Sequence, residues 1–427
     1  MTVVACHRRE TCRLCESSNL DLVLSLIPTP PANAFVDKSA IKEQQPCFPL
    51  DIFFCRNCNH VQLLDIVDPS ILFENYVYVS GTSESFVRHF DQYASALINR
   101  FSPKLGSLIV DIGSNDGTLL SAFQKRGMKG LGVDPARDIA SEATKSGVTT
   151  IADFFSINLA NKIKKEWGKA NVITANNVFA HSDDLRGIAG GIRNLLAPNG
   201  VFVFEVSYLG DVIRDTLFDT IYHEHLAYHT VKPLNDFFSN CGLQLFSVEK
   251  VVSHGGSIRG MVSLKGAKHS PDGSVDTMIS EEKTIGLDRI ETFKAFSYSI
   301  NTLGQKLKNL IREIKAKGKS IAGFGAPAKS TTLMYNFGLG SEEIDFIVDD
   351  SPLKQGLFTP GTHIPVLSPN ALYDRQPDYV LILAWNFAKP IMEKHYSFLE
   401  GGGCFIVPLP ELKTFKMPTK PAREFYE

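Results

Sequence analysis

The sequence predicts an α/β protein in three parts: a small cysteine-paired N-terminal part, a central doubly wound parallel sheet, and a second, smaller α/β sheet at the C-terminus. Three observations carry that expectation. Two C-x2-C pairs stand close to the N-terminus, short β-branched runs alternate with helical patterns from Ser107 onward, and the alternation begins again beyond Gly318 after a long amphipathic stretch. At 427 residues the chain exceeds one ordinary core. The expected divisions are 1–85, 86–245 and 246–427.

Composition narrows the class. With 44% hydrophobic and 21% charged residues there is enough apolar material for several cores, which excludes wholesale disorder. A formal net charge of −2 gives no overall pull toward a polyanion, so a nucleic-acid partner is not expected. The longest apolar runs, such as Tyr379 to Trp385, are far short of the ~20 residues of a membrane span. His7, Arg8, Arg9 and Glu10 stand where a secretory signal would be apolar. The reading is a soluble, cytoplasmic protein without a membrane partner.

Cys12-Arg-Leu-Cys15 and Cys55-Arg-Asn-Cys58 are knuckles with 39 residues between them. Each spacing lets two thiolates converge from a tight turn on one tetrahedral Zn²⁺. Four cysteine ligands leave no position for water or substrate, so the metal is expected to be structural. Between the knuckles lie a Pro-rich loop, Pro28 to Pro31, and a strand from Phe48 to Phe54. Cys6, Cys47, Cys241 and Cys404 lack partners at such spacing and read as packing residues.

An aromatic stretch, Phe73 to Ser80, leads to a helix start near Ser83. Strands follow at 107–110, 130–133, 148–151, 170–174 and 200–205, and the run 243–252 reads as strand pairing beyond that unit. A helix from about Gly286 to Lys317 carries Phe296, Ile300, Leu303, Leu307, Leu310 and Ile314 on one stripe and bridges two domains. Five further strands, 319–323, 343–348, 364–366, 378–383 and 404–407, make the last sheet. The tail from Lys413 has no clear period.

The loop Asp111-Ile-Gly113-Ser-Asn115-Asp-Gly117 follows the first central strand and opens a helix, so its glycines allow a sharp turn and close approach to a ligand. Asp111 would repel a pyrophosphate but suits the ammonium of S-adenosylmethionine, and Asp134 after the second strand can accept from ribose hydroxyls. That tilts the reading toward methyl transfer, with a ligand-free turn as the alternative. Asp153 could contact adenine or simply edge the core, and Asn177 is counted with the cofactor contacts.

Two clusters follow the fourth and fifth strands: Asn176 to His181, and Tyr222-His-Glu-His225 with Tyr228 and His229. H-E-H lacks the i, i+4 spacing of a helical metal motif, whereas a histidine oriented by a carboxylate suits proton abstraction near neutral pH. Gly323 to Ser330 again follows a strand, and its glycines with Lys329 suit phosphate oxygens. Asp349 and Asp350 end the next strand, where ribose-binding acids usually sit. The ligand expected there is a nucleoside diphosphate, with His254, Ser257, Arg259 and Lys354 as further contacts.

Taken together, the chain resembles the nucleotide-sugar 3-C-methyltransferases of branched-chain deoxysugar biosynthesis. The resemblance rests on the four cysteines, Asn75-Tyr76, the 111–117 loop, Asn177-x-x-x-His181, Tyr222-His-Glu-His225, His254-Gly-Gly-Ser257-x-Arg259, Gly323-x-Gly-Ala-x-Ala-Lys329, Lys354-Gln-Gly356 and Pro360 to Pro365. It implies a class I methyltransferase sheet as the central part and a nucleotide-linked 4-keto-deoxyhexose as the substrate. It also implies His225 as the base that forms an enolate. Glu224 would hold that imidazole, and Tyr222, Tyr76 and His181 would contact the sugar or the developing enolate. Pro327, Ser330 and Asp350 depart from the family pattern at the nucleotide pocket and leave the base open. Two other readings stand beside this one: O- or N-methylation of a nucleotide-sugar, and an RNA-modifying zinc-ribbon methyltransferase, against which the near-neutral charge weighs.

Overall fold

A computed structural model describes residues 5–73, 79, 81, 84–253 and 255–417. The chain divides into two compact units, one of Met1–Ser25, Asp51–Val212 and His223–Lys294, the other of Leu26–Leu50, Ile213–Tyr222 and Ala295–Glu427.

The N-terminal part supplies β1 (Cys6–Arg8), β2 (Leu20–Thr29), β3 (Phe48–Cys55), β4 (Val61–Leu63) and β5 (Asp65–Val67). β1 pairs antiparallel with β5, and β4 with β3. Strand β2 takes in Pro28 and Thr29, so the Pro-rich loop begins later than the sequence suggested.

The central sheet is built from β6 (Leu108–Ile112), β7 (Lys129–Val133), β8 (Thr150–Ile151), β9 (Ala170–Asn176) and β10 (Leu196–Ser207), all parallel where they pair. A short strand, β11 (Ala227–Tyr228), leaves this sheet and pairs with β4 instead. β12 (Leu243–Val251) and β13 (Ser257–Leu264) then complete the sheet in the order β12-β13-β10-β9-β6-β7-β8, with β13 antiparallel to both of its neighbours. The run expected to pair beyond this unit therefore closes its edge, and residue 245 falls inside a strand. All five residues of β6 are buried, as a strand covered on both faces requires.

Capping residues start the crossover helices. Ser156 accepts from the Leu159 N–H before helix Ile157–Trp167, which stops at Gly168 with φ 86°. Asp184 accepts from the Gly187 N–H before Leu185–Leu195. A phenylalanine cluster of Phe179, Phe202, Phe204, Phe237 and Phe238 is buried among these elements. Phe179 lies 5.6 Å from both Phe204 and Phe238 and anchors the loop after β9. A buried aromatic of this kind stabilises its surroundings by about 3 to 5 kcal/mol against truncation to alanine.

The long helix runs from Ile290 to Ala316. Its buried stripe is Phe293, Phe296, Ile300, Leu303, Leu307, Ile311 and Ile314, so Ile311 takes the place expected for Leu310. The second unit holds β14 (Ile321–Phe324), β15 (Phe346–Val348), β16 (Val366–Leu367), β17 (Tyr379–Ile382), β18 (Cys404–Val407) and β19 (Lys413–Phe415) in the order β16-β15-β14-β17-β18-β19. Only β19 is antiparallel. The tail thus begins as an edge strand, where no periodicity had marked one. Strand order turns at β6/β9 in the first unit and at β14/β17 in the second, the places where open α/β sheets bind ligands.

Candidate functional site

Cys12, Cys15, Cys55 and Cys58 come together with all four sulfurs within 4.8 Å of one another. Sγ of Cys12 is 3.6 Å from that of Cys58, and Cys15 3.5 Å from Cys55. These separations approach the ~3.8 Å edge of a zinc tetrathiolate with Zn–S bonds near ~2.3 Å. Hydrogen bonds from Cys55 and Cys58 pull the Cys12 thiol down, and those same bonds push Cys55 up to about 12 and Cys58 higher. Four thiolates need a cation to coexist, so the donor set fits zinc. The ion's role is to hold the knuckles; no coordination position is left for catalysis.

In the first sheet the loop 113–117 turns over the end of β6. Gly113 has φ 69°, and a Cβ on it would stand 2.3 Å from Val178 Cγ2 in the loop after β9, so only glycine fits between the two loops. Asn115 and Gly117 also take positive φ. The Asn115 N–H donates to Asp134 Oδ2 at 2.8 Å, and the Ala136 N–H to Oδ1 at 2.9 Å. Both oxygens keep lone pairs for hydroxyl donors. Asp111 is buried at the end of β6 and accepts from Thr174 Oγ1 at 2.6 Å. Burial pushes its carboxyl up to about 7 against the pull of that hydrogen bond, with Asp134 adding to the rise. Two acids in a desolvated corner suit a cationic ligand, which is what S-adenosylmethionine brings. Asp153 is exposed and accepts from the Phe154 N–H, and Asn177, with φ 56°, donates its N–H to the Glu205 carbonyl.

The loop after β9 also carries His181. Its ring stacks on Phe73 at 5.9 Å and on His225 at 5.1 Å. The Ala180 carbonyl accepts from the N–H groups of Leu226 and Ala227, which ties the two histidine loops together. Burial, aided by the neighbouring His225, holds the His181 imidazolium well below its ordinary range, so the ring is neutral at physiological pH. Glu224 is buried one residue before His225. Tyr222 closes the 213–222 segment, which belongs to the second unit. Tyr76 and His254 lie outside the described residues.

Arg259 and Ser257, expected as nucleotide-sugar contacts, sit on β13 of the first unit. Ser257 Oγ donates to the Ser253 carbonyl at 3.2 Å. Arg259 forks onto Glu205 and reaches Glu249 Oε1 at 2.8 Å, with its guanidinium 4.3 Å over the Tyr93 ring. Burial opposes the charge on Glu205, yet the hydrogen bond from His89 at 3.0 Å and the Arg259 guanidinium outweigh it and keep the acid ionised.

The second unit gathers Lys329, Asp349 and Lys354. Gly325, φ 84°, passes so close to the loop after β17 that a Cβ would meet Ala384 Cβ at 2.5 Å. Its N–H donates to the Val348 carbonyl, and that of Ala326 to Asp349 Oδ2, so these amides serve the turn and not a phosphate. Lys329 Nζ donates to Asn386 Oδ1 at 2.7 Å and lies 3.6 Å over the Trp385 ring. Desolvation brings its ammonium down to about 8 despite Asp219, whose carboxylate accepts from Trp385 Nε1 at 2.6 Å. Lys354 Nζ donates to the Ala326 carbonyl at 2.9 Å, 3.8 Å from Asp349.

Sequence reasoning missed Thr174, Glu205 and His89 in the first unit and Asp219, Trp385 and Asn386 in the second. Glu205, an acid ending a wholly apolar strand, and Trp385-Asn386, directly past another, carried a readable signal. Asp219 carried none.

Three family models match the chain: a zinc binding domain over 12–73, a methyltransferase domain over 86–248 and a C-methyltransferase C-terminal domain over 252–410. C-methyltransferase NovU of Streptomyces niveus is 36% identical over 402 residues, 94% of this chain and 96% of that protein. Among solved structures, a magnesium protoporphyrin IX methyltransferase of Synechocystis PCC 6803 with bound SAH aligns at 13% identity over 41% of this chain and 82% of its own, TM-score 0.33. An S-adenosylmethionine-dependent methyltransferase of Clostridium acetobutylicum aligns at 15% identity over 42% and 92%, TM-score 0.34. The chain belongs to the C-methyltransferase family and is an S-adenosylmethionine-dependent, zinc-binding enzyme.

Proposed function

We propose that the enzyme methylates carbon 3 of a nucleotide-linked 4-keto-deoxyhexose through an enolate. The observation that supports this most is the stacked His181–His225 pair, whose His181 lies on the same loop that meets Gly113 through Val178. A carbonyl at carbon 4 acidifies the hydrogen on carbon 3. His225 takes that proton, the C–H electron pair becomes the enolate π bond, and charge gathers on the carbonyl oxygen. His181, held neutral, stays available as a hydrogen-bonding group toward that oxygen, Tyr222 and Tyr76 are the hydroxyls assigned to the sugar or enolate, and Glu224 is assigned to orient His225. One such contact is worth about 3 kcal/mol. S-adenosylmethionine supplies an electrophilic methyl on a sulfonium, and Asp111, Asn115, Asp134, Asp153 and Asn177 are the residues assigned to hold it.

Lys329, Asp349 and Lys354 are assigned to the nucleoside diphosphate. The two-ligand reading keeps the expected order of tasks along the chain, zinc part, methyl donor and nucleotide-sugar, but the division expected at 245/246 falls inside β12 and so moves beyond β13. Among the described residues no helix is long and apolar enough to cross a membrane.

The experiment is methylation of a thymidine-diphosphate-linked 4-keto-deoxyhexose deuterated at carbon 3. Loss of deuterium in step with methylation supports carbon alkylation. Deuterium retained in a methylated product would place the methyl on oxygen or nitrogen and overturn the proposal.

A further inference from the structure

We propose that Arg13 is a positioning residue for methyl transfer, holding from inside the first cysteine knuckle the two loops that carry His181 and His225. This rests on the reading of His225 as the base. Arg13 stands between Cys12 and Cys15 and its side chain is 0% exposed. Its Nη1 donates to the carbonyl of Leu226, the residue after His225, at 2.7 Å, to the Leu63 carbonyl at 2.8 Å and to Gln62 Oε1 at 3.0 Å. Its Nη2 reaches Asp183 Oδ1, two residues past His181, at 3.3 Å. Arg9 grips the same carboxylate at 3.0 Å.

The arrangement is unusual for an arginine. A guanidinium taken fully out of water is costly for every donor left unused; here Nη1 and Nη2 are engaged, three of the contacts going to backbone carbonyls or to a buried amide, while Nε is buried without a hydrogen-bond partner among the described residues. Only a planar fork can reach the Leu226 carbonyl and the Asp183 carboxylate from one head group. The Leu226 carbonyl accepts a second hydrogen bond from the Leu63 N–H at 3.0 Å, and Ala227 pairs with Gln62 in the β4–β11 ladder. The chain next to His225 is thereby fixed in register to the strand that leaves the second knuckle. A divalent ion on four thiolates keeps net negative charge, and Arg13 is the cation set between two of those ligands. The knuckle thus serves the reaction by fixing where His225 stands.

The test uses the zinc-loaded full chain and the Arg13→Gln and Arg13→Lys variants. Four readouts are needed: zinc content, S-adenosylhomocysteine affinity by calorimetry, kcat and KM for the thymidine-diphosphate-linked 4-ketohexose, and exchange of its carbon-3 proton with D2O. The expected result is one zinc per chain and near-unchanged S-adenosylhomocysteine affinity, with kcat and exchange both down about 10- to 100-fold and KM moved less than threefold. Lysine should recover little, because it lacks the fork. In a His225→Asn background Arg13→Gln should cost nothing further. Full exchange in Arg13→Gln, or a loss that multiplies with that of His225→Asn, overturns the proposal. If His225→Asn alone retains exchange, the base assignment fails, and that is seen without any Arg13 variant. Should Arg13→Gln fail to fold, Asp183→Asn replaces it: a several-fold fall in kcat at constant zinc content is expected, and an unchanged kcat overturns the proposal.

Discussion

The His181 ring stacks on the His225 ring with centroids 5.1 Å apart and planes 29° from parallel, on loops joined through the Ala180 carbonyl. Two imidazolium rings at that separation would repel strongly, so only one of the pair can carry a proton. Burial decides which, because it holds His181 down. With His181 neutral, a proton taken up by His225 as the proposed base would face no second cation from that ring. His181 ring resonances should therefore stay constant between pH 6 and pH 8, and a fixed charge, His181→Lys, should abolish proton exchange. A ring at position 181 that titrates within that range contradicts the arrangement. The stability linkage has the same origin. A histidine whose folded pKa is depressed binds protons more tightly when unfolded, so its contribution is complete above about pH 6.5 and is lost as the pH falls from there.

Asp111 points the opposite way. Its folded pKa is raised to about 7, so near neutral pH the carboxylate opposes folding and the protonated form is favoured. A cation bound against it lowers that pKa again. S-adenosylmethionine binding at pH 7 should release up to about half a proton per chain, read by calorimetry in buffers of different ionisation heat. Asp111→Asn should raise the thermal stability of the ligand-free protein while weakening S-adenosylmethionine about 10- to 100-fold. Loss of both stability and binding would show that Asp111 serves the fold alone.

Much of this architecture was written in the sequence because it follows from local pattern. β-Branched runs, glycine turns and paired cysteines announce strands, ligand loops and a metal knuckle by period and spacing alone. What escaped depended on partners distant along the chain. Arg259 reads as a free cation on its own; only the register that sets it across from Glu205 on β10 and Glu249 on β12 shows it paired. Asp219 has no local signature, since its meaning comes from Trp385, 166 positions away. The partition of the chain was hidden for the same reason: segments 26–50 and 213–222 join the second unit through contacts that no window of sequence contains.

The Arg259–Glu205 pair makes a sharp contrast with a substrate contact. Glu205 is 1% exposed, and removing its guanidinium partner leaves a buried carboxylate with His89 as its remaining side-chain partner among the described residues. Arg259→Ala should destabilise the first unit by about 3 to 5 kcal/mol in thermal or denaturant unfolding. Converting both partners, as Arg259→Met with Glu205→Gln, should restore most of that loss. An Arg259→Ala protein of unchanged stability but weakened nucleotide-sugar binding would return Arg259 to the role its sequence motif suggested.

Lys329 is the residue assigned to the second ligand in the proposed reading. An ammonium brought down to about 8 by desolvation is present as a cation at neutral pH and is lost as the pH climbs past that value, well before an exposed lysine would titrate. The fold favours the neutral amine, so this group's effect on stability improves as the pH rises from about 8 toward 10.5. Phosphate binding needs the cation and must weaken over the same interval. The affinity for thymidine or uridine diphosphate should fall steadily between pH 8 and pH 10. In Lys329→Met it should be about 10- to 100-fold weaker at pH 7 and nearly flat with pH, while the second unit keeps its stability, because a buried cation replaced by an apolar side chain of similar length removes a desolvation cost. A diphosphate affinity that ignores both the substitution and the pH places the nucleotide elsewhere.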